Sequence, residues 1–265
     1  MTTDSGENRH MSDSTALATT EMQTAIMQER AAETERNAFD FIPQRIKMPS
    51  GGLQVFTLSD GDTMKPFTGI IAVSQKSRAY WPDRETQGLP PLCSSPDGLD
   101  GWFADEPDAD QVAAAARAYA PHTMIDSIHD HKGPFSCARC PLSAWGSGDG
   151  RGQACKSLRR LLVLVDGWSM PALLTLPPTS VKVFDQYASG RASKGSAYFA
   201  VRTKFELEQK RNPAGINFSV VKLAYVEDLG DEDMGMVFAI REQFAELVRS
   251  LDISADEYTT DNPPF

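Results

Sequence analysis

The four cysteines of this chain are spaced as Cys93-x43-Cys137-x2-Cys140-x14-Cys155. A Cys-x2-Cys turn can present two sulfurs to one ion, and tetrahedral zinc takes four thiolates at about 2.3 Å. A zinc site built from all four would leave no cysteine over. The long first gap means that it would staple a distant loop onto the Cys137–Cys140 knuckle. A closed four-thiolate shell has no open coordination position, so the metal would be structural and not catalytic. An iron–sulfur cluster with four cysteine ligands is the alternative, since its spacings also tolerate one distant Cys. A Cys137–Cys140 redox pair and free buried thiols are further readings. His122, His129 and His131 stand just upstream of the knuckle, and any one of them could replace Cys93 as ligand.

Positive charge is concentrated next to the knuckle. Arg151, Lys156, Arg159 and Arg160 surround Cys155 and run into the apolar stretch Leu161–Val165. The net charge of −10 hides a strong asymmetry. Residues 1–131 carry 10 basic and 20 acidic side chains; residues 132–222 carry 14 and 5; residues 223–265 carry 2 and 11. A middle segment of net +9 between two acidic ones suggests a cationic binding surface with an acidic tail. A merely solvated basic face is the bland counterpart. Arg191, Lys194, Arg202 and Lys204 would extend a phosphate track. Trp81, beside Lys76 and Arg78, and Tyr198 would offer stacking faces. Single-strand binders combine such a groove with aromatics, each stacked base contributing about 1–3 kcal/mol. Burial in the core is the competing reading for Tyr80 and Trp81.

The elements that must position these residues are mostly strands. Leu53–Leu58, Phe67–Ser74, Leu161–Val165, Ala172–Leu176, Ala197–Glu208 and Ile216–Tyr225 read as strands, with turns at Asp60-Gly61 and Asp166-Gly167. Asp108–Ala120 reads as an Ala-rich helix capped by Asp108 or Asp110 and stopped by Pro121. A helix is expected over Val181–Ala188, followed by a mobile Gly/Ser loop over Ser189–Ser196. Met236, Ile240, Phe244, Leu247, Val248 and Leu251 recur at helical spacing over Met234–Leu251. The expected fold is α+β and β-rich: an OB-like barrel or similar small antiparallel β domain, elaborated by a structural zinc site and a C-terminal helix. Three regions are expected: a disordered leader with a possible helix (1–38), a zinc-stabilised nucleic-acid-binding body (39–251) and an acidic disordered tail (252–265).

The chain ends Asp261-Asn-Pro-Pro264-Phe265 on an acidic run. This resembles the C-terminal tip of bacterial single-stranded DNA-binding proteins, an acidic run ending Asp-Asp-Ile-Pro-Phe. Asp261, Pro264 and Phe265 match; Asn262 and Pro263 depart. The strings CSSPDG, CARCP and CKSLRRLLVL also look like uncharacterised proteins of phages and mobile elements. The resemblance implies a docking tail that recruits replication or repair proteins, with Phe265 in an apolar pocket and its carboxylate on a cation.

The expected function is non-enzymatic binding of single-stranded DNA, in DNA replication, recombination or repair. The alternatives are a zinc or iron–sulfur enzyme acting on nucleic acid, with Asp126, His129, Asp130 and His131 as the cluster to test, and a zinc-stabilised interaction or regulatory module. No apolar run approaches a membrane span and no signal-peptide pattern opens the chain, so a cytoplasmic location in a bacterial cell is expected, phage- or mobile-element-encoded.

Overall fold

A computed structural model describes residues 25, 28–29, 42–82, 89–118, 133–148, 152–213 and 215–257. The chain divides into two units, Met1–Ile42 and Pro43–Phe265. In the first, residues 25, 28 and 29 are helical.

Unit two is a mixed α+β, strand-rich domain with an open sheet. Its strands are β1 (Gln44–Lys47), β2 (Phe56–Leu58), β3 (Thr63–Met64), β4 (Phe67–Tyr80), β5 (Cys93–Ser95), β6 (Asp100–Phe103), β7 (Phe135–Ser136), β8 (Cys155–Val165), β9 (Ala172–Leu176), β10 (Val201–Arg211) and β11 (Asn217–Asp228). Three helices lie among the described residues: α1 (Ala109–Ala118), α2 (Pro178–Ala192) and α3 (Asp231–Ser250).

The sheet is organised on β4. One edge pairs with β8 from Gly69↔Val165 to Tyr80↔Cys155. The other edge is shared: Phe67–Ile70 pair with β10, and Arg78–Tyr80 pair with β5. A single 14-residue strand therefore carries two different neighbours, leaving a notch between them along residues 71–77. From β8 the order continues through β9, β1, β2 and β3, with β1 and β9 parallel. β3, β7 and β11 each end a branch, so the described pairings do not close into the expected barrel.

Apolar periodicity explains most of this. Leu161, Val163, Leu174, Leu176, Ile71, Phe205, Val221 and Phe184 form the main core, each at most 3% exposed. Burying a side chain of this size is worth about 1.5–3 kcal/mol. Tyr80, Leu92, Phe103, Leu142 and Cys155 form a second, smaller core where β4–β6, the start of β8 and the turn at 141–143 meet. Helix α1 is capped by Asp108, whose Oδ1 accepts the N–H groups of Asp110 and Gln111 at 2.9 and 3.1 Å; of the two expected caps, Asp108 is the one used. Helix α2 is longer than the sequence suggests and absorbs the first part of the expected Gly/Ser loop, including Arg191.

Candidate functional site

The four cysteines arrive from three elements. Cys93 and Cys155 are both cross-strand neighbours of Tyr80, one through β5 and the other through β8. Laterally paired residues point to one face of a sheet, so the two thiols flank the Tyr80 ring. Cys137 and Cys140 come from the turn after β7. The Cys137 N–H donates to the Leu99 carbonyl at 2.8 Å, and the Ser143 hydroxyl donates to the carbonyls of Cys137 and Cys140 at 3.0 and 2.8 Å. The Ser147 hydroxyl accepts the Ala154 N–H at 3.0 Å, tying the knuckle loop to the residue before Cys155.

All four thiols line one cavity of about 20 Å³, shared with Arg78, Tyr80, Gly101 and Leu142. That is room for about one water-sized sphere. A Cβ added to Gly101 would stand 3.3 Å from the Cys93 sulfur and 3.7 Å from that of Cys137. A side chain here would press on the Cys93 sulfur, so a glycine lets the sulfurs approach the backbone most closely. No pair is disulfide-bonded. As the side chains stand, no group of three or more His, Cys, Asp or Glu among the described residues is arranged to hold a metal ion. The thiols thus share a cavity without converging on one coordination centre.

Burial sets their protonation. It is the first cause raising the Cys93, Cys137 and Cys155 thiols, with Cys155 pushed up to about 12. Neighbouring thiols add to the rise: Cys155, Cys140 and Cys137 act on Cys93. Arg78 opposes it, through a hydrogen bond to Cys155 and its charge near Cys137. Sequence reading placed Arg78 in a basic cluster and missed this contact. The signal was its spacing two residues before Tyr80, which puts both on one face of β4.

The expected phosphate track is broken up, with three of its arginines buried and others paired with acids. Arg160 is 0% exposed, and its guanidinium donates to the carbonyls of Val248, Leu251 and Asp252 and to Glu257 Oε1 at 3.1 Å. That side chain caps the end of α3 and cannot meet a phosphate. Arg191 is 9% exposed with its guanidinium 4.3 Å from the Tyr225 ring centre. Arg202 pairs with Asp166, Glu227 and Asp233. Lys204 pairs with Glu206 at 2.7 Å. Trp81 is a core residue, packed with Ala79, Leu158 and Ile253, its indole N–H donating to the Leu89 carbonyl at 2.9 Å. Tyr198 packs edge-on against Phe184 and Phe199.

Lys194 is exposed, and Lys156 is half-buried with its ammonium on the Gln153 carbonyl at 2.9 Å. Arg159 is 8% exposed and pairs with Asp185 at 2.6 Å. Arg151, the three histidines, Asp126, Asp130 and the tail residues Asp261, Pro264 and Phe265 lie outside the described residues.

Part of the +9 segment's charge is therefore spent inside the molecule, against acids of the C-terminal segment: Glu227, Asp233 and Glu257. The sequence shows charge asymmetry without showing whether it faces a ligand or the rest of the chain.

Among the described residues, no helix is long and apolar enough to cross a membrane. Comparison with known proteins finds no matching family model, no matching curated protein and no matching solved structure.

Proposed function

We propose that this is a non-enzymatic single-stranded DNA-binding protein whose fold is braced by one structural zinc ion on Cys93, Cys137, Cys140 and Cys155. The observation that carries the reading is the gathering of all four cysteines, 62 positions apart in sequence from first to last, around one ion-sized cavity. Four thiol donors in an apolar setting suit zinc or an iron–sulfur centre. Binding would bring the sulfurs inward onto a common ion and displace their protons. Arg78 would offset part of the negative charge of a four-thiolate shell. The metal would supply rigidity only, fixing the knuckle against β4, β5 and β8.

Single-stranded DNA as the ligand is supported by the basic middle segment and by the terminal Asp-Asn-Pro-Pro-Phe, read as a docking tip for replication or repair proteins. An OB-like closure is not needed for this function. An open sheet with cationic residues at its edge also presents strands to a backbone. Binding of a fluorescent oligo(dT) is expected at 50 mM salt and should weaken steeply by 200 mM, as counterion release requires. No binding at 50 mM, in full-length or tail-deleted protein, would end this reading.

The internal pairing of Arg160, Arg191 and Arg202 favours a second reading, a zinc-braced protein-interaction module. Equal binding of single strand, duplex and heparin would support that one instead.

A further inference from the structure

The notch in the sheet, between β10 and β5 along residues 71–77 of β4, is an open groove. Helix α3 lies along it through Arg241, which donates to the Ala72 carbonyl, and the turn at 96–99 lies along it through Gln75, which donates to the Asp97 carbonyl at 2.9 Å. The groove is lined by Ser74, Lys76, Asp97, Arg159, Glu246 and Arg249, among others. Lys76 and Arg159 are direct cross-strand partners, so their side chains leave the sheet on one face.

Three features point to an anionic oxygen ligand. First, two polar atoms lining the groove are buried and lack a hydrogen-bond partner: the Ser74 hydroxyl and the Arg159 Nε. Such atoms are costly unless something bonds them. Second, Lys76 is exposed and has no carboxylate partner among the described residues. Third, both acids of the groove are already engaged. Asp97 accepts the Leu99 and Asp100 N–H groups at 2.8 and 3.1 Å and the Ser95 hydroxyl at 3.0 Å. These bonds outweigh its burial and hold its carboxyl below the usual range. Glu246 pairs with Arg249 at 3.3 Å.

We infer that this notch is a subsite for the phosphodiester backbone of single-stranded DNA. Lys76 sits at its rim as an exposed cation, with Arg249 beside it exchanging its Glu246 partner for phosphate, while the Arg159 Nε and Ser74 hydroxyl donate from its floor. Asp185 on one side and Phe184 at 5.4 Å hold the Arg159 guanidinium in place. The inference rests on the proposed single-strand function and adds where the backbone runs. It also replaces the expected track: of the eight basic residues first assigned to phosphate contact, only Arg159 belongs to the notch.

The test compares oligo(dT) binding by the wild type, by K76A/R249A and by a control, K65A/K210A, which removes the same charge elsewhere. Both notch residues are exposed, so the substitutions leave the core alone. The expected result is at least about a tenfold loss of affinity in the notch variant. Its log–log salt slope should be shallower by about 1.4, the value for two single-strand phosphate contacts. The control should keep most of the wild-type affinity and slope. Wild-type binding with no difference between the two variants overturns the notch alone. A wild type that does not bind overturns the single-strand reading and the notch with it.

Discussion

Replacing Arg160 with methionine, with Glu257 left in place, is expected to destabilise the protein by about 3–5 kcal/mol, because breaking a buried pair leaves the other charge with only the more distant Arg45 as its cation. At about 2–4 °C per kcal/mol for a domain of this size, the thermal midpoint should fall by roughly 6–20 °C. The prediction follows from how fully both groups are committed. The Glu257 side chain is 1% exposed and receives Arg160 at 3.1 Å, the Thr175 hydroxyl at 2.8 Å and the Ser254 N–H at 3.4 Å, with Arg45 Nε at 3.6 Å. Arg160 and Thr175 are cross-strand neighbours on β8 and β9. Two adjacent strands therefore hold the segment that follows α3. The double variant R160M/E257L should recover only part of the loss, since the carbonyls of Val248, Leu251 and Asp252 would still lack their donor. Thermal and urea unfolding would measure both. A single-variant loss below about 1 kcal/mol would show that the pair is not what secures this segment.

The second large effect concerns the knuckle. C155S is expected to lower metal retention sharply and to free the backbone amides around Cys137, Cys140 and Ser143 to hydrogen exchange. Structural zinc contributes apparent binding energies of about 10–16 kcal/mol, which appear as folding energy where the site forms only with the fold. The loss should stay local, because the cysteine cluster and the main core are separate apolar groups. Amides of β9 and its neighbours on β8 should keep their protection. Stripping the wild type with a chelator should reproduce the same pattern, which separates loss of metal from the cost of a buried serine. Unchanged exchange at the knuckle in both experiments would mean that the cysteines are packing residues only.

Much of the fold is legible in the chain. Ala172–Leu176 is a strand with the expected bounds, because a short apolar run interrupted only by Thr175, between turn residues, has few other uses. The α3 helix forms as expected and buries Phe244 and Val248, but Met236 is exposed and Val237 takes the buried place in its turn. The Asp108 cap and the Asp60-Gly61 turn were visible in residue type alone. The long extensions were not. β4 runs to Tyr80 and β8 starts at Cys155, through Lys76, Arg78, Lys156 and Arg159, whose charges mask strand periodicity. The pairing of the two strands along this stretch supplies the stability that local pattern lacks.

At the site, the shared fate of the four cysteines was readable from spacing, since residue type limits what they can do. The roles of the arginines were not. Arg160 and Arg159 are adjacent in sequence and point to opposite faces of β8. One is locked under the C-terminal segment and the other lines the notch. A period-of-two strand through Cys155–Arg160 would have separated them, but nothing local marks which face is covered. That depends on Glu257, almost a hundred residues away. Trp81 shows the same limit. An aromatic beside cations suits stacking on a base, yet its place is set by Leu158 and Ile253, which are distant in sequence.

Metal content of the purified full-length protein, measured together with the number of reactive thiols, tests the central claim most directly. The account predicts one zinc per chain, four thiols protected from modification, and their release in step with zinc when a chelator is added. A colourless, zinc-free protein whose four thiols react independently would contradict it. So would a brown protein with iron and absorbance near 400 nm, which would move the site to an iron–sulfur centre.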